Sequence, residues 1–142
     1  MLDGSQYRKT DNRRSKKIEM RTSFKDCIDV SFKEFSNNSF SQTQIEIRDQ
    51  VNILKELKNS DHIIRFFGVA QEDSKFYLVT EWMEYGNLNE YYTNFRDNMN
   101  WETKIRFALD ICRGVAYLHE CEVSCYNYRS FFLYIYIYII HF

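Results

Sequence analysis

The stretch "FYLVTEWMEYGNL", residues 76–88, decides how this chain folds. It opens with aromatic and β-branched residues, the composition of a strand, and closes on Gly86 and Asn87, where a short helix reaching Asn98 begins. Just upstream, "HIIRFFGVAQEDSKFYLVTEW" holds two β-rich runs around "QEDS", which predicts a hairpin with that polar cluster as its turn. Residues 43–58 place Ile47, Val51, Leu54 and Leu57 on one helical stripe with charges opposite. Earlier still, "CIDVSFKEF" (27–35) alternates, with Ile28, Val30 and Phe32 on one face and Lys33 on the other, as a half-buried strand does. Downstream, Asn100 caps a helix from 101 to about 119, with Glu102 in its first turn, where the helix dipole favours an acid. Its apolar face is read as Ile105, Ala108, Leu109, Cys112, Val115 and Ala116, at spacings of three and four. The order strand, helix, hairpin, two helices is an α+β start leading into an all-helical continuation.

A chain of 142 residues is one domain's length. With 44% hydrophobic residues, 27% charged and a net charge of -1, it is not disordered throughout, and charge supplies no pull towards nucleic acid or anionic membrane. Cysteines at 27, 112, 121 and 125, with no charged-then-apolar leader, make a reduced, cytoplasmic protein the expectation. Residues 1–23 are polar and basic and read as an arm or weak edge strands; the run Arg13, Arg14, Ser15, Lys16, Lys17 could serve nuclear import, although such runs are more often solvated surface. Proline is absent, where average usage of about 5% predicts about seven.

The 76–88 stretch resembles the fifth strand and hinge of protein kinases, above all the tyrosine kinases and the tyrosine-kinase-like group. "ILKELKNSDHIIRFFGVA" resembles the end of the kinase αC helix and the following strand, and "WETKIRFALDICRGVAYLHE" resembles the αE helix. The likeness covers about residues 26–130 and extends to the mixed-lineage-kinase-like pseudokinases. It implies an α+β fold: a kinase-like small lobe (antiparallel sheet plus αC helix), the hinge, and the first helices of the large lobe. Residues 24–130 would then be a partial kinase domain, preceded by the 1–23 arm and followed by an aberrant tail at 131–142. The resemblance makes Thr80 the gatekeeper, has the Glu81 carbonyl accept from the adenine amino group, and has the Met83 N–H donate to a ring nitrogen. An extended backbone suits a flat apolar ring with one polar edge.

The catalytic positions fare differently. "VSFK" matches the end of the valine-alanine-isoleucine-lysine pattern, so Lys33 is the candidate for the lysine that holds the α and β phosphates. Its glutamate partner on αC falls on Gln50, which cannot form the ion pair; Glu46 lies one turn earlier. The only glycine before Lys33 is Gly4, so no glycine-rich loop cradles phosphates. Laid from Leu118, the histidine-arginine-aspartate triplet falls on Cys125, Tyr126 and Asn127. Asn127 has no useful basicity, and a lost general base costs on the order of 10²–10⁴ in rate. Arg129 and Ser130 fit the "RS" that follows in parts of the tyrosine-kinase-like group, but Phe132 stands where an asparagine holds magnesium and offers no hard oxygen. Magnesium is therefore not expected, and any ATP binding is expected to be weak.

Past Phe132 the resemblance stops. "SFFLYIYIYIIHF" (130–142) is too short and too rich in tyrosine for a membrane span, β-prone and uncharged, and its A/T-rich codon content suggests translated intron or frameshifted sequence. His119, Cys121 and Cys125 lack the fourth ligand of a structural zinc site. Tyr91 and Tyr92 could be phosphosites or packing residues, and His62 reads as a structural residue capping a helix-to-strand turn. The resemblance thus implies a truncated, inactive kinase fragment. Two alternatives stand beside it: a pseudokinase-type module binding a protein partner through exposed αC or αE faces, and a gene-model or pseudogene product with no independent role. No nucleic-acid or membrane partner is expected.

Overall fold

The computed structural model describes residues 1–15, 18–35, 48, 51–57, 60–73 and 75–121. The chain divides into two units, Met1–Lys55 with Arg65–Trp82, and Glu56–Ile64 with Met83–Phe142.

The first unit is a six-stranded sheet of β1 (Leu2–Asp3), β2 (Tyr7–Ser15), β3 (Ile18–Ser23), β4 (Asp29–Glu34), β5 (Phe66–Glu72) and β6 (Lys75–Glu81). Their spatial order is β1-β5-β6-β4-β3-β2, with every pairing antiparallel except β1 on β5. The N-terminal segment, read as an arm or edge strands, thus carries β1, β2 and β3. A 3-10 turn, Gly4–Gln6, links β1 to β2.

β4 differs from the half-buried strand its alternation predicts. It lies between β3 and β6, and Val30, Ser31 and Phe32 are all buried, so both of its faces are covered. Ile28 does not join that inward row; it is 37% exposed in the turn before β4, where Ser23 N–H donates to its carbonyl at 2.9 Å and Cys27 adopts φ 53. Val30, Phe32, Ala70 and Val79 form the core cluster, with Leu2, Tyr7, Phe67 and Tyr77 packed against it. Phe32 meets the Tyr7 ring edge-on at 5.1 Å and the Tyr77 ring at 5.8 Å, favourable aromatic arrangements.

The β5–β6 hairpin is tighter than "QEDS" suggests. Gln71 and Glu72 belong to β5, Glu72 pairs with Lys75, and Asp73 takes a positive φ of 46, which Asp tolerates better than most residues.

Arg21 on β3 is completely buried on the core face. Its Nε donates to Glu19 Oε1 at 2.6 Å and its Nη1 to Glu72 Oε1 at 2.5 Å. Nη2 also contacts Glu19 Oε1, without the alignment of a hydrogen bond. The guanidinium lies 4.0 Å from the centre of the Phe32 ring and 5.3 Å from that of Tyr77, so aromatic faces replace the water it has lost. Burial opposes its charge, but the hydrogen bonds to Glu72 and Glu19 outweigh this and leave its pKa raised; the bond from Arg21 holds Glu72 below its ordinary range.

Of the helix predicted at 43–58, residues 48 and 51–57 are described; 51–56 form α1, with Leu54 and, just beyond it, Leu57 buried, and Ile47 lies outside the described residues. The second unit carries α2 (Leu88–Phe95), a 3-10 turn at Arg96–Asn98, and α3 (Trp101–Glu120). Asn87 and Glu90 form a capping box at the start of α2, with bonds of 2.8 and 2.9 Å. Asn100 caps α3 by accepting from Thr103 N–H at 2.8 Å. Tyr91 ties the two helices together, 5.3 Å from Phe107 and 4.8 Å from Phe95, while Tyr92 is exposed.

The inward face of α3 is not the predicted one. Phe107 and Gly114 are its buried residues, whereas Ile105 and Leu109 are 45% and 51% exposed, with Ala108, Cys112 and Ala116 also exposed. Apolar residues occur on both sides of this helix, and Phe107 wins the inside because the Tyr91 ring is its partner. His62 also differs from its expected capping role: Ser60 Oγ accepts from His62 N–H at 3.2 Å, and the imidazole lies 3.7 Å from Asp110 on α3.

Candidate functional site

The pairing of β4 with β6 sets the site's geometry. Ser31 is opposite Thr80 and Lys33 opposite Leu78, and paired residues share a face, so Lys33 and Thr80 lie on one side of the sheet. Ile18 opposite Lys33 and Met20 opposite Ser31 extend that side onto β3. The other side carries Val30, Phe32, Tyr77 and Val79, with Arg21.

Thr80 is 4% exposed, and its hydroxyl donates to the Glu81 carbonyl at 3.4 Å. Glu81 is clamped to residue 65 twice: its N–H donates to the Arg65 carbonyl at 3.0 Å, and its carboxylate accepts from Arg65 N–H at 2.6 Å. Trp82 N–H donates to the Asp29 carbonyl at 3.3 Å. The exit of β6 is thus held from both flanks, so its backbone has a defined direction.

Met83, buried, begins the longer segment of the second unit. Its carbonyl accepts from Gly86 N–H at 3.1 Å, closing a turn in which Gly86 has φ 79. A side chain at that φ is strained, which is why a glycine stands directly before the capped α2.

Of the residues singled out in the sequence, the structure brings Lys33 and Thr80 to one sheet face with Glu81 next in line, and places Met83 in the other unit. Gln50, Glu46, Cys125, Asn127, Arg129, Ser130 and Phe132 lie outside the described residues. The reading missed the Arg21 cluster; its one local signal is Glu19 and Arg21 two apart on a strand, but Glu72 arrives from 51 positions away. Among the described residues no group of three His, Cys, Asp or Glu could hold a metal ion, and no helix is long and apolar enough to cross a membrane.

A curled sheet that ends in a buried threonine and a glycine turn, followed by two capped helices, has the architecture of a kinase small lobe and the first part of its large lobe. A family model described as protein tyrosine and serine/threonine kinase matches residues 14–124. Among similar proteins of Dictyostelium discoideum are a probable serine/threonine-protein kinase, 32% identical over 63% of this chain and 22% of its own length, and a second of that description, 34% identical over 57% and 9%. A third is an RGS domain-containing serine/threonine-protein kinase, 32% identical over 60% of this chain and 8% of its own length. The chain belongs to the protein tyrosine and serine/threonine kinase family. It spans less than a quarter of each of these three relatives.

Proposed function

We propose that this chain is a kinase-like module of the tyrosine-kinase-like type that keeps an adenine-reading strand and has lost phosphoryl transfer. The observation that carries the first half is the placement of Lys33 and Thr80 on one sheet face, with the backbone beyond Thr80 held at Glu81. The polarity there suits adenine. By the kinase resemblance, the Glu81 carbonyl would accept from the adenine amino group and the Met83 N–H would donate to a ring nitrogen. Thr80 is small and would leave room beside the ring. Lys33 would hold the phosphates of ATP, the phosphoryl donor that kinases use.

The second half rests on residue chemistry. Asn127 at the aspartate position cannot accept a proton from a substrate hydroxyl, and Gln50 cannot form the ion pair that orients Lys33. Phe132 at the magnesium-holding position does not fit the metal, so no step is assigned to magnesium. Thermal-shift titration of the purified chain with ATP, with and without Mg²⁺, is the test: a shift independent of Mg²⁺ is expected. Phosphorylation of a generic protein substrate above a no-enzyme control would overturn the loss of transfer, and no shift with ATP would overturn the adenine reading.

The outer face of α3 supports a second reading, a protein-interaction module. Trp101 is 74% exposed, and with Ile105 and Leu109 it forms an apolar stripe. A monomeric chain that binds no apolar dye would count against this reading.

A further inference from the structure

We propose that residues 2–6 are a built-in edge cap: they close the C-terminal end of the outer edge of β5 and keep that end from pairing with other strands. The proposal stands apart from the nucleotide reading. Without β1, β5 would end the sheet, and its "FFGVA" stretch is apolar and β-prone, the kind of edge that recruits foreign strands. β1 pairs in parallel with the end of that stretch, Leu2 against Ala70 and Asp3 against Gln71, and the Leu2 side chain reaches back to Gly68.

Three features show that the cap is fitted and not merely adjacent. Gly68, inside β5, lets Leu2 lie close: a Cβ there would stand 3.0 Å from Leu2 Cγ and Cδ1. Gly4 is buried against Glu72, and a Cβ at Gly4 would stand 2.7 and 2.8 Å from Glu72 Cγ and Cδ. Glu72 cannot simply swing aside, because buried Arg21 holds it. Finally, Asp3 accepts from Ser5 N–H at 3.0 Å and Oγ at 2.7 Å, shaping the turn, and Phe24 N–H donates to the Gln6 carbonyl at 2.9 Å, anchoring its far end. The family match begins at residue 14, so this cap lies outside the part of the chain that the family model describes.

The test uses the full chain, with Gly4→Leu to unseat the turn and Leu2→Asp to unseat the strand. Backbone hydrogen exchange of residues 70–72 and size-exclusion chromatography are read together. In the unaltered chain the β5 amides that face β1 should be protected, and both variants should exchange there at least about tenfold faster. The variants should also associate into larger species with rising concentration while the unaltered chain does not. Unchanged exchange and unchanged size in both folded variants would overturn the proposal. Should either variant fail to fold, exchange in the unaltered chain decides: unprotected amides at Asp3 and on the β1-facing side of β5 overturn the cap, and protected ones support it.

Discussion

Glu72→Gln is the sharpest probe of how the sheet tolerates a buried charge. Arg21 has a side chain only 1% exposed, and Glu72, at 19%, is one of its two anionic partners. Removing one partner of a fully buried pair costs about 3–5 kcal/mol. The cost here is smaller, because glutamine keeps the shape and one acceptor, and Glu19 still holds Nε. The loss is that of a charge-assisted bond, about 2 kcal/mol. For a chain of this size that lowers Tm by roughly 8 °C. The effect also has a pH signature. Glu72 is held below its ordinary value of 4.5 by Arg21, so its contribution is fully present above that value and fades as acid protonates the folded state. Thermal unfolding followed by circular dichroism, at pH values from about 7 down to about 3, should therefore show the two proteins converging in stability below about pH 4.5. A difference under about 0.5 kcal/mol near neutrality, the size of an ordinary surface change, would refute the reasoning, as would a difference that does not shrink in acid.

Phe32→Ala, at a position with no exposed surface among Tyr7, Tyr77 and Arg21, should cost about 3–5 kcal/mol, read by urea unfolding. Asn100→Ala should remove about 1 kcal/mol by leaving the Thr103 amide uncapped, and Asn100→Asp should restore it. Tyr91→Ala should weaken the packing of α2 on α3 by about 3 kcal/mol or more, with faster amide exchange in α2 than in β4. Gly86→Ala should cost about 1–2 kcal/mol through its left-handed φ, seen as a lower urea midpoint.

Elements with local causes were legible. The β-rich runs around 66–81 became β5 and β6, and Asn87 and Asn100 start helices because a side-chain acceptor can reach an amide three residues on without help from the rest of the fold. Lys33 and Thr80 were nameable from their motifs, but their shared face depends on the register of two strands separated by some forty residues of chain. The error at α3 has a physical source: Ile105 and Leu109 make as regular a stripe as Phe107, Ile111 and Leu118, so periodicity alone cannot choose between two apolar faces. Only the rings of α2 decide it.

The sequence by itself determined the two strands of the 66–81 hairpin and the asparagines that start α2 and α3, and it carries the kinase-like motifs from which Lys33 and Thr80 are named. Tertiary structure alone decided that β4 is covered on both faces, that Leu2 pairs with Ala70, and that Arg21 can lie buried. Alternation and capping act within a few residues and leave a local trace. Burying a guanidinium needs carboxylates and rings brought from distant strands, and no local pattern records that.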